Sequence, residues 1–365
     1  MIDYDLISKP VFISGHPRSG TNLMMRMIDG SSDIVVPPGE GKLQILRRFA
    51  TKPHGIVYNS KDALKILSQV ELNLSNENEK KFLKLLEFEL EKNGEINDII
   101  RLVNVLVFTI LNYNTSQKKY SAKRWLEKNH NLEFYWGRAK SLFANPKLIY
   151  VVRDPRDVWV SWNKYCLENK LPNDLDQARV NIQNHMLNEV IEWAYKINRF
   201  STRDEFIQYY NIDVTSINQL IDMLMSAGIN KYNREKLISL AEFRSINNPA
   251  GRFAWNYFFM LQRATWLSKE FDNDVMLIRY EDIVLKPQES ISQILSFCDL
   301  HAGELTGVPT EQGNLWVANS SFNSGKTNQI NSSSVGRWKN ILDKNDINII
   351  ENITYAEYSA VNCIN

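Results

Sequence analysis

Residues Gly15-His16-Pro17-Arg18-Ser19-Gly20-Thr21-Asn22 combine two glycines with an arginine and several hydrogen-bonding side chains. Placed between a strand and a helix, such a loop turns its backbone N–H groups and the helix's positive end towards one point, which makes an anion site. Gly15 and Gly20 keep the Gly-x4-Gly separation of a nucleotide phosphate loop, but Thr21-Asn22 stand where Lys-Ser/Thr should follow. The cation has moved into the loop, at Arg18. Two further clusters could hold anions: Arg153-Asp154-Pro155-Arg156-Asp157 followed by Ser161, and Arg279-Tyr280-Glu281-Asp282. Arginine's fork suits phosphate bidentately. Glu40 follows the turn Pro37-Pro38-Gly39, and His130 closes Lys128-Asn129-His130.

Each cluster needs an element to position it. Val11-Phe12-Ile13-Ser14 reads as a strand, and Leu23, Met24, Met27 and Ile28 recur at helical spacing after the glycine loop. Lys147–Val152 and Val275–Ile278 are continuous apolar runs, as expected of buried parallel strands, and they end at Arg153 and Arg279. Ala122–Glu127 reads as another strand, ending at Lys128. Ile34–Val36 reads as a short one that Pro37-Pro38-Gly39 breaks, holding Glu40 near a strand end. Pro155 suits the first turn of a helix and Asp157 its positive end.

The intervening segments read as helices. Three are expected in 60–113, as an insertion that contributes to an acceptor pocket. More follow over 175–271, with a break at Asn248-Pro249-Ala250-Gly251 before an aromatic-rich helix over Phe253–Phe271, and another over Gln288–Cys298. Residues 301–340 form a long polar segment ending in Gly336-Arg337-Trp338-Lys339-Asn340, and so long a loop points to function. Strands alternating with helices indicate an α/β fold. It is a P-loop-like open parallel sheet with helices on both faces, in one domain over 1–365 with helical insertions at about 60–113 and 200–250.

Taken together the motifs resemble those of sulfotransferases that use 3′-phosphoadenosine 5′-phosphosulfate (PAPS), over about 11–340. Pro17-Arg18-Ser19-Gly20-Thr21 resembles the 5′-phosphosulfate loop of bacterial and tyrosylprotein-type members. Arg153 with Ser161 resembles the 3′-phosphate motif, Tyr280 the tyrosine near the nucleotide, and Gly336-Arg337-Trp338 the C-terminal loop that closes over it. The resemblance implies a PAPS-dependent transferase of sulfur-containing groups that sulfates an acceptor hydroxyl of a glycan, lipid or small molecule and releases adenosine 3′,5′-bisphosphate. It assigns Arg18, Ser19, Gly20, Thr21 and Asn22 to the sulfonate end, and Lys128 to the leaving group. Ser320 or Ser321 would add a hydroxyl from the late loop. The base stays open between Glu40, which resembles the glutamate of tyrosylprotein and many bacterial members, and His130, which resembles the histidine of cytosolic small-molecule members.

Bulk properties agree with a local site. The chain has 365 residues and a formal net charge of +1, which gives no footing for nucleic-acid binding. Cys166, Cys298 and Cys363 are scattered, without disulfide or metal spacing, and no metal is expected. The ten mixed residues before Val11 carry no secretory signature, and Ile99–Leu111 is too short to span a bilayer, so a cytoplasmic, reducing setting is expected. Two rival readings stand beside the sulfotransferase: a P-loop kinase or NTPase, and an inactive relative that binds nucleotide or a partner. The absent lysine after Gly20 counts against the first, and the intact Arg18, Glu40, Lys128 and Arg153 against the second. The acceptor's identity and the oligomeric state stay open.

Overall fold

A run such as Lys147-Leu148-Ile149-Tyr150-Val151-Val152 offers apolar side chains to both faces of a strand, so it needs covering layers above and below. The computed structural model has that arrangement. It describes residues 4–36, 59, 61, 63–64, 76–93, 99–114, 122–128, 130, 132–168, 248–303, 306–311, 314–316 and 330–361. Strands β1 (Pro10–Ser14), β2 (Ile34–Val35), β3 (Arg124–Lys128), β4 (Lys147–Val152) and β5 (Val275–Arg279) form one sheet in the order β2-β3-β1-β4-β5. Every pairing is parallel, with Ile13 opposite Lys128, Ser14 opposite Tyr150, and Val152 opposite Arg279.

Alternation along the strands divides the core in two. Phe12, Trp125 and Leu148 take one face. They pack with α3 (Asn76–Asn93) through Phe82, Leu86 and Leu90, and with α4 (Ile99–Asn114) through Leu102, Val103 and Leu106. Trp136 and Ala139 of α5 (Trp136–Leu142) complete this layer. Val11, Ile13, Leu126, Ile149, Val151 and Ile278 take the other face. There they meet Met24, Met25, Met27 and Ile28 of α2 (Thr21–Ile28), with Ile283 of α8 (Tyr280–Leu285) and Ile291 and Ile294 of α9 (Pro287–Phe297). Each such side chain, fully buried, contributes about 1.5–3 kcal/mol relative to exposure.

The helices at 76–114 therefore bury their apolar faces in the core on this side of the sheet. Two helices are described there; the apolar face at 66–70 lies outside the described residues, as does 169–247. A four-residue helix α1 (Tyr4–Ile7) precedes β1, and a small antiparallel hairpin, β6 (Thr310–Glu311) with β7 (Asn314–Leu315), lies within the late polar segment. Cα packing divides the chain into two units. One comprises Met1–Trp162, Met260–Ile341 and Glu357–Asn365, the other Asn163–Phe259 and Leu342–Ala356.

Helix α6 covers Pro155–Glu168, α7 Pro249–Glu270 and α10 Lys344–Ala360. The break read at Asn248 is the start of α7: Asn248 Oδ1 accepts the Gly251 N–H at 3.1 Å, and Pro249 takes the first helical position. Cys166 and Cys298 are free and buried. Among the described residues no helix is long and apolar enough to cross a membrane.

Candidate active site

Because all five strands run parallel, their carboxyl ends share one edge. From β1 the chain passes through α2 to β2, on one side, whereas β4 is followed by β5 on the other. Adjacent strands whose connections part in this way open a crevice at their carboxyl ends. Arg18 follows β1, and Arg153 and Ser161 follow β4.

The β1–α2 loop is shaped for close approach. The Ser19 N–H bonds to the His16 carbonyl at 3.0 Å, and Gly20 caps α2 at φ +95° with no side-chain cap. The first amides of α2 are thus left without a capping side chain. Arg18 is in the left-handed region at φ +74°, an uncommon state for a residue with a Cβ. The Ser19 hydroxyl is buried and has no partner among the described residues.

Arg153 ties this loop to the C-terminal one. Its Nη1 donates to the Arg18 carbonyl at 2.9 Å and its Nη2 to the Ser334 carbonyl at 2.9 Å, while its guanidinium lies 4.4 Å from the Tyr280 ring centre. Tyr280 and Ser334 share a hydrogen bond of 2.7 Å. Arg18 Nε donates to Ser161 Oγ at 3.1 Å. Arg18, Ser161, Arg153 and Tyr280, expected from the sequence at one edge, are therefore brought together. Gly336 and Trp338 join them through Asp157, whose carboxylate accepts both their backbone N–H groups.

On the far side of β1, Lys128 ends β3 and is buried. The His130 Nδ1 lies 2.8 Å from the Gly15 carbonyl; since a carbonyl only accepts, Nδ1 carries the hydrogen. The next turn reaches the same stretch, where Ser14 Oγ donates to Glu133 Oε2 at 2.7 Å and accepts the Leu132 N–H at 3.3 Å. Glu40, Ser320 and Ser321 lie outside the described residues.

A family model described as "Sulfotransferase domain" matches residues 8–359. The chain belongs to the sulfotransferase family. Solved structures similar to this sulfotransferase include the sulfotransferase domain from the curacin biosynthetic pathway, 19% identical, covering 94% of this chain and 96% of that one at a TM-score of 0.45. The corresponding domain of the Synechococcus PCC 7002 olefin synthase is 15% identical, covering 94% of each chain at 0.46. Sulfotransferase STF9 from Mycobacterium avium is 11% identical, covering 98% of this chain and 78% of that one at 0.37. Likenesses this distant add nothing to the assignment, which rests on the domain match. Among curated proteins no match is found.

The electrostatics of the sulfotransferase site follow from burial. His16 in the loop is pushed down to about 4 by desolvation, so it is neutral at physiological pH. Glu133 is pushed up to about 7 by burial, against the Ser14 hydrogen bond and the Arg263 charge. Arg337 is lowered by burial and by the nearby Arg153 cation.

Asp157 and Glu133 escaped the sequence reading. Asp157 was assigned to the helix's positive end, but it accepts two amides of a distant loop instead. Glu133 carries no motif at all. The run Arg153–Asp157 held the only available signal, since so many charges in one turn exceed what a helix start needs.

Proposed function

We propose that this sulfotransferase moves a sulfuryl group from PAPS to an acceptor hydroxyl and releases adenosine 3′,5′-bisphosphate. The observation that carries the reading is the pair of contacts joining two separate motifs, Arg153 Nη1 on the Arg18 carbonyl and Arg18 Nε on Ser161 Oγ. Anion-holding groups from β1 and β4 thereby serve one crevice. The β1–α2 loop fits one anionic end of such a donor, because the buried Ser19 hydroxyl lacks a partner among the described residues and α2 opens without a capping side chain. The same reading takes 1–365 as one sulfotransferase domain, supported by the match over 8–359.

PAPS supplies the activated sulfuryl group; the chain supplies positioning and charge, which dominate in-line transfer between oxygens. Arg18 and the amides of Ser19, Gly20, Thr21 and Asn22 would hold the sulfonate end, with a hydroxyl from Ser320 or Ser321. Arg153, Ser161 and the loop Gly336-Arg337-Trp338 would hold the 3′-phosphate, and Tyr280 would lie against the nucleotide. Lys128 would donate to the bridging oxygen as it takes up charge. Glu40 or His130 would take the acceptor's proton. With the hydrogen on Nδ1, the basic nitrogen of a neutral His130 is Nε2. A glycan, lipid or small molecule is the acceptor class.

Thermal shift separates this reading from the kinase one. Adenosine 3′,5′-bisphosphate raises the melting temperature and Mg-ATP does not; the reverse result favours an ATP-dependent kinase or NTPase activity over PAPS-dependent transfer. Transfer of labelled sulfate from PAPS into extract then tests turnover. Lys128→Ala, Glu40→Gln and His130→Ala sort the roles, and near-normal turnover in both of the last two removes both base candidates.

A further inference from the structure

The C-terminal loop is fastened from a single turn of helix. Asp157 is 2% exposed in the first turn of α6. Its Oδ2 accepts the Gly336 N–H at 2.7 Å and its Oδ1 the Trp338 N–H at 2.9 Å. A carboxylate so placed ordinarily serves the amides of its own helix; both oxygens here serve another part of the chain. Gly336, at φ +70°, bends the backbone so that the two amides face the same carboxylate. One residue earlier in α6, the Arg156 guanidinium lies 3.8 Å from the Trp338 ring centre, and Asp154 grips Arg156 at 2.6 and 2.9 Å. Arg337 sits between the two fastened amides, and its Nη2 donates to the Ser333 carbonyl at 3.2 Å, next to the Ser334 carbonyl that takes Arg153 Nη2.

We propose that Asp157 is a positioning residue for the 3′-phosphate end of the donor, holding the 336–338 backbone so that Arg337 stays beside Arg153. This rests on the PAPS reading above. Arg337 and Arg153 repel each other, so a loop released from Asp157 lets them part and the 3′-phosphate loses one of its two guanidiniums. The sulfonate end is the less affected, because the loop from Gly15 to Gly20 keeps its own bonds, the Ser19 N–H on the His16 carbonyl and Arg18 Nε on Ser161 Oγ, neither of which involves Asp157.

Calorimetric binding to the full chain tests this with two nucleotides that differ only in the 3′-phosphate, adenosine 3′,5′-bisphosphate and adenosine 5′-monophosphate. Asp157→Ala weakens the bisphosphate by about tenfold or more, as expected for loss of charge-assisted hydrogen bonds, and leaves the monophosphate within about twofold. Asp157→Asn falls between, since its one carbonyl oxygen still accepts an amide. Should Asp157→Ala fail to fold, Asp157→Asn and Trp338→Ala, which removes the ring under Arg156, carry the same comparison. Equal weakening of both nucleotides, or of neither, overturns the proposal. A wild-type chain that binds the two nucleotides equally overturns the PAPS reading itself, and that result is read before any variant is made.

Discussion

At Arg18, backbone and charge can be pulled apart. The residue holds φ +74°, which costs an L side chain on the order of 1–2 kcal/mol, and it stays there because its carbonyl is taken by Arg153 and the turn by the Ser19–His16 bond. Arg18→Ala removes only the guanidinium; Arg18→Gly removes it and the strain. Urea unfolding should find the glycine variant about 1 kcal/mol the more stable, while both lose about 100-fold or more in sulfuryl transfer. Equal stabilities would show an unstrained backbone, and near-normal turnover in Arg18→Ala would remove the residue from the donor site. Gly20 is constrained differently: at φ +95° a Cβ would come within 2.3 Å of the Tyr280 ring. Gly20→Ala must therefore displace Tyr280 from Ser334 and Arg153, and nucleotide affinity measured by calorimetry falls even though no charge is lost. Arg18, Arg153 and Ser161 come together as expected because their motifs, weak one by one, occur in combination at the ends of β1 and β4. Asp157 and Glu133 were not, because their partners Gly336 and Ser14 are remote in sequence and only the folded chain brings them together.

Among the elements, those with a strong period were legible nearly to the residue, and those without one were missed. β4, β5 and α9 lie where their apolar runs put them. β3 begins at Arg124, two residues later than the sequence reading, where the Arg124 N–H meets the Asp33 carbonyl and opens the pairing of Ile34 with Arg124. The four residues of α1 and the two-residue strands of the late hairpin are too short to show any period. α3 and α4 show what a period leaves open. Their apolar stripes were visible, but a stripe does not say what covers it, and the cover proves to be the sheet face carrying Phe12, Trp125 and Leu148. Leu106, fully buried in α4, tests this. Leu106→Ala should lower stability by about 2–5 kcal/mol in denaturant unfolding. A variant of undiminished stability would mean that Leu106 does not contribute to that core.

Across the whole molecule, two buried groups flanking the donor loop give stability opposing dependences on pH. The Glu133 carboxyl is pushed up from 4.5 to about 7, so the folded chain binds a proton that the unfolded chain releases. Its contribution is complete below pH 4.5 and is lost as pH rises to about 7. His16 is pushed down from 6.5 to about 4, so the unfolded chain binds the proton and the folded chain does not. Its contribution is complete above pH 6.5 and is lost as pH falls to about 4. At 1.36 kcal/mol per pH unit each change amounts to roughly 3 kcal/mol, and over most of the acid range they offset one another. Asp157 and Glu281 are also raised by burial and add slopes of the Glu133 kind, so the wild-type curve alone does not isolate either group. Differences do. Stability of the wild type relative to Glu133→Gln should decline between pH 4.5 and 7, and relative to His16→Asn should decline as pH drops from 6.5 to 4. Urea midpoints across pH 4 to 8 measure both. Parallel curves for the wild type and Glu133→Gln would mean that Glu133 ionises in the fold as it does in the open chain. Ser14 would then be held by an ordinary carboxylate, and the anchor beneath the donor loop would not change with pH.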